Sequence, residues 1–122
     1  MPQLVEMDRQ VSLFEQMEQQ VGPVILINTF TVEPEEAEQL QEAWASDAAF
    51  MKQQPGFIST QLHRGIGGSS VFFNYAVWES VEHFRRAFSS PEFQSKMSDY
   101  PPSTAASPHL VEKVAVPGIC VA

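Results

Sequence analysis

The sequence predicts one α+β domain in which helices cover an antiparallel sheet. Three patterns lead to this prediction: short runs of β-branched and aromatic residues, apolar residues that recur every three or four positions, and proline or glycine signals between these segments. In chain order they give one helix and then β-α-β-β-α-β, the split βαβ arrangement of a ferredoxin-like fold. A chain of 122 residues is long enough for one hydrophobic core.

The first two predicted elements are a helix and a strand. Residues 8–20 place apolar side chains at helical spacing after Asp8, which we expect to be the N-cap, and Gly22-Pro23 would end this helix. The following run Val24–Val32 is rich in β-branched residues and is typical of a strand. A helical extension is therefore expected before the first strand of the sheet.

A long helix and a β-hairpin follow in order. Pro34 suits the first turn of a helix, in which apolar residues recur up to Pro55-Gly56. Phe57–Arg64 and Val71–Trp78 predict the two strands of a hairpin. The glycine-rich segment 65–68 joins two strands rather than opening a helix, so it indicates a turn and not a phosphate-binding loop.

The second helix of the split unit is predicted in two pieces before a final strand. Ser80 can cap the first piece, and Ser90-Pro91 can start the second. The Pro- and Ser-rich stretch 101–108 is expected to be a loop, and Leu110–Val116 the last of four antiparallel strands. These boundaries give an N-terminal helical extension (1–22), a ferredoxin-fold domain (23–116) and a C-terminal tail (117–122).

The first and third predicted strands of the sheet carry apolar side chains on both faces. In the first strand, Leu26 and Phe30 share one face and Ile25 and Ile27 the other. A four-stranded sheet of this order has helices on one face only, and a solvated second face would show polar alternation. We therefore expect a second copy of the chain to cover the other face, which makes the protein a homodimer.

Composition argues against several classes of partner. The net charge is −8, with ten acidic residues in positions 1–54, so the protein should repel nucleic acid. One cysteine, Cys120, excludes an internal disulfide, and no apolar stretch is long enough for a membrane span, so a cytoplasmic location is expected. The three histidines are not spaced with other ligands as metal sites are, and no metal is predicted.

Three side chains are candidate catalytic residues. Asn28 places a carboxamide on an otherwise apolar strand face, where it needs partners or a ligand. His63 could act as a general base near neutral pH. Tyr75 is the third and could donate a hydrogen bond to an oxyanion. Its neighbour Asn74 is a candidate for substrate binding instead, because the two side chains point to opposite faces of their strand and only one of them can line a given pocket. The simpler alternative for each is a structural or solvated side chain.

Other residues could bind a substrate. Arg86 could hold a carboxylate or an oxyanion, or could simply pair with Glu82. A planar aromatic ligand would suit a cavity with aromatic walls, although the same side chains could be ordinary core. The candidate wall residues are Trp44, Phe72, Trp78, Phe84 and Phe88.

Residues 23–116 resemble the antibiotic biosynthesis monooxygenase family. The similarity lies in Asn28 on the first strand, in Pro34-Glu35-Glu36 and Pro55-Gly56-Phe57 at the ends of the long helix, and in the segment Asn74–Ser80. This resemblance implies a dimeric α/β barrel with a pocket between sheet and helices in each subunit. It also implies either cofactor-independent oxygenation of polyketide phenols and quinols or degradation of haem.

The haem-degrading branch of that family fits less well. It combines a strand asparagine, matched by Asn28, with a tryptophan and an axial histidine in the second helical region. By gap-free spacing from Trp78 these two positions fall on Ala87 and Met97. We therefore do not expect haem degradation.

These observations lead to three hypotheses about function. The first is a cofactor-independent monooxygenase that uses oxygen and an aromatic, polyketide-like phenol, anthrone or quinol, with no cofactor. The second is a polyketide cyclase or lactone isomerase of the same fold, which would consume no oxygen. The third is a non-catalytic dimer that binds small molecules.

Overall fold

The computed structural model describes residues 2–122 and has five strands and four α-helices. Their bounds are β1 Gln3–Leu4, α1 Leu13–Gln16, β2 Val24–Thr31, α2 Ala37–Met51, β3 Phe57–Arg64, β4 Val71–Trp78, α3 Val81–Phe88, α4 Pro91–Lys96 and β5 Ala105–Val111. Single 3₁₀ turns precede α2 at Pro34–Glu36 and follow α4 at Met97–Asp99. No helix in the described residues is long and apolar enough to cross a membrane.

The sheet confirms the predicted α+β class but is larger than expected. Its strand order is β1-β5-β2-β4-β3, in which β2, β3, β4 and β5 form the antiparallel core of a ferredoxin-like unit. β1 adds a fifth strand, parallel to β5, so the sheet is mixed rather than a four-stranded antiparallel one. A strand of two residues leaves no periodic signal in a sequence, which is why β1 was not predicted.

The last strand begins earlier than the sequence indicates. β5 covers Ala105–Val111, so the segment predicted as a loop forms most of the strand, and the predicted strand Leu110–Val116 is wrong beyond Val111. Alanine, serine and proline have weak strand propensity, but β5 gains backbone pairing from β2 along its whole length. The tertiary context overrides the local preference here.

The N-terminal helix is much shorter than predicted. α1 is a single turn whose N-cap is Ser12, the hydroxyl of which accepts a 3.1 Å hydrogen bond from the backbone N–H of Glu15. Asp8 instead accepts from the backbone N–H of Gln10. The caps predicted for the later helices are confirmed, because Ser80 accepts from the N–H of His83 and Ser90 from that of Phe93.

The Gln16 side chain closes part of the outer edge of β5. Its Nε2 donates to the backbone carbonyl of Leu110, and its Oε1 accepts from the N–H of the same residue, both at 2.9 Å. The amide thus occupies both backbone groups of Leu110, as a neighbouring strand would do. α1 is anchored to the sheet through this contact, and Leu13 and Met17 bury beside it.

The helices pack on one face of the sheet and leave the other uncovered within the chain. The largest buried side chains lie between the helices and the covered face, among them Phe72 and Trp78 of β4 and Phe84 of α3. The opposite face, which we call the open face, presents the alternate residues of the strands. These are Ile27 and Thr29 of β2, Val71, Phe73, Tyr75 and Val77 of β4, and Ser59, Gln61 and His63 of β3.

Candidate active site

A cavity lies between the covered face of the sheet and helices α2, α3 and α4. Its volume is about 70 Å³, and it opens to solvent on one side. Most of its lining is apolar, with a few polar groups. The lining residues are Pro2, Leu4, Leu26, Asn28, Phe30, Trp44, Asp47, Ala48, Met51, Phe57, Thr60, Asn74, Ala76, Trp78, Phe84, Phe88, Phe93, Met97, Tyr100, Ala106 and Pro108.

Two asparagines form the polar centre of the sheet side of the cavity. Asn28 and Asn74 are register partners in the β2–β4 pair, so their side chains project together on the covered face. The hydroxyl of Thr60 donates a 2.7 Å hydrogen bond to Asn74 Oδ1. Asn28 Oδ1 is shielded from solvent and has no partner, which is costly for a buried acceptor.

A carboxylate and a phenol face the cavity from the helix side. Asp47 lies three residues after Trp44 and four before Met51, so the helical repeat of α2 turns all three side chains toward the cavity. The Tyr100 hydroxyl donates to Asp47 Oδ2 at 2.9 Å, and its ring stacks on Phe30 with 5.7 Å between centroids. Asp47 Oδ1 is shielded from solvent and unpartnered.

Burial sets the protonation behaviour of this pair. Desolvation raises the pKa of Asp47 to about 6, against the opposing effects of the Tyr100 hydrogen bond and the positive charge of Lys96. The pKa of Tyr100 is raised by burial and by the neighbouring Asp47 carboxylate. At neutral pH the pair therefore consists of a mostly ionised carboxylate and a neutral phenol.

Aromatic side chains form the walls around these polar groups. Trp78 packs edge-on against Phe84 and Phe57, with centroid distances of 5.8 Å and 5.5 Å. Its indole Nε1 is buried and makes no hydrogen bond. Trp44 and Phe88 complete the aromatic lining. The chemistry of this lining suits a planar apolar ligand that carries a few oxygen atoms.

The structure brings together six of the ten residues that the sequence singled out. These are Asn28, Asn74, Trp44, Trp78, Phe84 and Phe88, all of which line the cavity. Of the two side chains that alternate on β4, Asn74 takes the cavity side and Tyr75 the open face, where it is 38% exposed.

The other three residues also lie outside the cavity. His63 is on the open face of β3, with Nδ1 3.2 Å from the carbonyl of Phe73, so it does not face Asn28 across the cavity as the predicted general base should. Phe72 is fully buried in a neighbouring part of the core. Arg86 pairs with Glu82 at 2.6 Å on the surface. A sequence reveals which residues alternate on a strand but not which face a helix will cover.

Sequence reasoning missed Thr60, Asp47 and Tyr100. One signal for Asp47 was present, because the positions of Leu40, Trp44, Asp47 and Met51 follow the helical repeat and place a carboxylate in an apolar stripe. Thr60 alternates with ordinary strand residues, and Tyr100 reaches Asp47 only through the tertiary fold. Neither has a signal of its own.

The lining residues do not match a haem or metal site. In the part of the chain that the structure describes, no three His, Cys, Asp or Glu side chains cluster as metal ligands do. None of the three histidines lines the cavity. His83, which lies one helical turn before Ala87, has its Nδ1 2.6 Å from Ser80 Oγ. Met97, the position expected for an axial ligand, lines the cavity with a thioether. Tyr100 is bound to Asp47, so the Met97 thioether is the one free group of a haem-ligating kind among the lining residues, and the axial histidine of the haem-degrading branch is missing.

Comparisons with known proteins agree with this fold. A sequence model described as antibiotic biosynthesis monooxygenase matches residues 23–97. The chain is 39% identical over 70 residues to deoxynogalonate monooxygenase of Streptomyces nogalater and 32% identical over 69 residues to a mycobilin-producing haem oxygenase of Mycobacterium tuberculosis. Each alignment covers 57% of this chain, but 58% and 66% of the two relatives.

A solved structure extends the similarity to most of the domain. SnoaB of Streptomyces nogalater, described as a cofactor-independent oxygenase, superimposes with a TM-score of 0.69 at 26% identity. The superposition covers 80% of this chain and 98% of that one. The fold that surrounds the cavity is therefore shared with an oxygenase.

Proposed function

The chain belongs to the antibiotic biosynthesis monooxygenase family, and on this premise we propose that it is a cofactor-independent monooxygenase of a planar phenol, anthrone or quinol. One observation carries the proposal: three buried polar atoms in an apolar, aromatic cavity lack partners. They are Asn28 Oδ1, Asp47 Oδ1 and Trp78 Nε1. Each unpartnered group costs roughly 1–3 kcal/mol in the folded protein, and a ligand with hydroxyl and carbonyl groups would satisfy them.

The polar groups suit a substrate that becomes an anion. Asn74 Oδ1 is occupied by Thr60, so Asn74 offers its amide N–H groups to a ligand. Together with the Trp78 indole N–H they supply donors for an oxyanion or a peroxide, while Asn28 Oδ1 can accept from a substrate hydroxyl. An enolate or phenolate held in this way can pass an electron to oxygen by itself.

The overall reaction can be written for an anthrone-type methylene. The substrate loses a proton, the carbanion gives one electron to oxygen, and the two radicals join to form a carbon–oxygen bond. The peroxide takes up a proton, and loss of water across the O–O bond leaves a carbonyl. The sum is one methylene and one O₂ giving one carbonyl and one water, so no external reductant is needed.

We also propose that the protein is a homodimer that buries the open face. Tyr75 and Val71 are 38% and 43% exposed there, and Phe73 and Val77 are only half-buried within one chain. A second copy would remove this apolar surface from water, and the cavity on the covered face would remain accessible.

A second candidate is a cyclase or isomerase that uses the same cavity. The Asp47–Tyr100 pair favours this second function, because a buried carboxylate beside a neutral phenol can move a proton without oxygen. Oxygen uptake separates the two reactions.

The test uses dithranol, a hydroxyanthrone, with metal-free and flavin-free protein. We expect oxygen uptake with formation of the corresponding anthraquinone well above the rate without protein. Turnover that disappears when metals and flavin are removed would contradict cofactor independence. Turnover without oxygen uptake would support the isomerase.

A further inference from the structure

We propose that Asp47 is the general base that removes the acidic proton from the bound substrate, and that Tyr100 is the residue that positions it. This inference rests on the proposed function for the nature of the substrate. Asp47 and Tyr100 are the two titratable side chains among the lining residues of the cavity in the described chain. The base suggested by the sequence, His63, lies on the other side of the sheet.

The two carboxylate oxygens of Asp47 have different environments. Oδ2 accepts the 2.9 Å hydrogen bond from Tyr100, which fixes the plane of the carboxylate. Oδ1 has no partner in the protein and is shielded from bulk water. One oxygen is thus held in place, and the other is left to accept a proton from a ligand in the cavity.

The groups that face Asp47 keep its carboxylate available as a base. Lys96 of α4 is the nearest source of positive charge, but its Nζ donates to Ser46 Oγ at 2.9 Å. The sheet side contributes Asn28, Thr60 and Asn74, which are uncharged, and α3 contributes only Phe84 and Phe88. A carboxyl pKa of about 6 means that the group is mostly ionised at neutral pH yet more basic than an exposed aspartate.

The proposed step conserves charge within the cavity. The substrate C–H or O–H bond breaks, the proton moves to Asp47 Oδ1, and the electron pair stays on the substrate as an enolate or phenolate. The single negative charge therefore moves from the carboxylate to the substrate, where Asn74 and Trp78 can donate hydrogen bonds to it. After oxygen has been reduced to the peroxide, Asp47 can return the proton to the peroxide oxygen.

The deciding measurement is deuterium exchange into the acidic methylene of dithranol in D₂O without oxygen. Wild-type protein should accelerate exchange above the rate without protein, and Asp47→Asn should lower that acceleration by about 100-fold or more, which is the usual contribution of a general base. Asp99→Asn, an exposed carboxylate outside the cavity, is the matched control and should exchange like wild type.

The pH profile of exchange tests the roles of both residues. In wild type the rate should rise with pH through a midpoint near 6, because the ionised carboxylate is the base. Tyr100→Phe removes a hydrogen bond that lowers the pKa of Asp47, so the midpoint should move to higher pH. If Asp47→Asn does not fold, the wild-type profile decides alone, and a profile that is flat around pH 6 overturns the proposal.

The outcomes separate this inference from the proposed function. If deuterium exchange depends on Asp47 but no oxygen is taken up in air, Asp47 is still the general base, and the isomerase replaces the monooxygenase as the proposed function. If oxygen is taken up and the exchange rate is unchanged in Asp47→Asn, the assignment of Asp47 as general base is wrong, and the proposed monooxygenase function stands. If wild type neither exchanges nor consumes oxygen, both proposals fail for this substrate class.

Discussion

The Thr60 hydroxyl donates a 2.7 Å hydrogen bond to Asn74 Oδ1 and thereby determines which half of the Asn74 amide can serve a ligand. Asn74 is buried, with 8% of its surface exposed, so its carbonyl needs this partner. The amide N–H groups remain for the cavity. β3 thus orients a side chain on β4 that the proposed reaction uses.

The Thr60→Val variant should lose both stability and activity. The substitution keeps a β-branched side chain but leaves Asn74 Oδ1 without its donor, so we expect about 1–2 kcal/mol lower stability in urea unfolding. The freed amide can rotate, so dithranol turnover should fall as well. Thr31→Val, at an exposed position of β2, is the control. Unchanged stability and turnover in Thr60→Val would show that this hydrogen bond orients nothing.

Asn28→Leu should separate stability from function. Asn28 Oδ1 is buried without a partner, so replacing the amide with an apolar group removes a desolvation cost, and we expect stability to rise by about 1 kcal/mol. Turnover should be lost, because the acceptor for the substrate hydroxyl is gone. Asn74→Leu offers the contrast: it breaks an existing hydrogen bond and should destabilise the protein. Thermal unfolding and oxygen uptake measure the two effects, and equal behaviour of the two variants would contradict the assignment.

Stability should depend on pH through Asp47. The pKa of its carboxyl is raised on folding from 3.8 to about 6, so the folded state binds this proton more tightly than the unfolded state. Its stabilising contribution is complete below pH 3.8 and is lost as pH rises through about 6. Asp47→Asn cannot ionise, so its stability relative to wild type should increase over that range in urea unfolding. A constant difference between the two proteins would show that the carboxyl is not perturbed.

Gln16→Ala should loosen the N-terminal segment. The variant loses two hydrogen bonds to the backbone of Leu110, so we expect about 1–2 kcal/mol lower stability and faster amide exchange at Leu110. Gln19→Ala removes the same side chain from an exposed site nearby and should have little effect. Hydrogen exchange followed by NMR would reveal the difference, and equal protection of Leu110 in both variants would contradict it.

The proposed dimer predicts a mass of twice 13.6 kDa in light scattering at micromolar concentration. Tyr75→Asp places a charge in the middle of the open face and should give monomers. Ile66→Asp, in the β3–β4 turn, where the side chain is 97% exposed, should leave the dimer intact. A monomeric mass for the wild-type protein would contradict the proposed dimer.

The sequence predicted those elements whose signal is local. The sequence indicates the strands β2, β3 and β4 because each contains a run of β-branched and aromatic residues. It indicates the caps Ser80 and Ser90 because each acts within one helical turn. β5 was misplaced because Ala105 to Pro108 become a strand only through pairing with β2. The residues of the candidate site also differ in whether a local pattern marks them. Asn28 stood out in an apolar strand, but Asp47 and Tyr100 meet across 53 residues, and no local pattern reports such a contact.

Gln16 also bears on how the edge of the sheet avoids pairing with strands of other chains. Along β5, the residues that turn their backbone groups outward alternate: the Ala106 carbonyl accepts from Val5, Pro108 has no N–H to offer, and both groups of Leu110 are taken by Gln16. At Pro108 and Leu110, β5 therefore presents no free N–H to a foreign strand. Lengthening of the sheet by added strands, the first step toward fibrous aggregates, is left with the two-residue β1 and the eight-residue β3 as free edges, and in β3 a bulge between Phe57 and Ser59 interrupts the regular ladder.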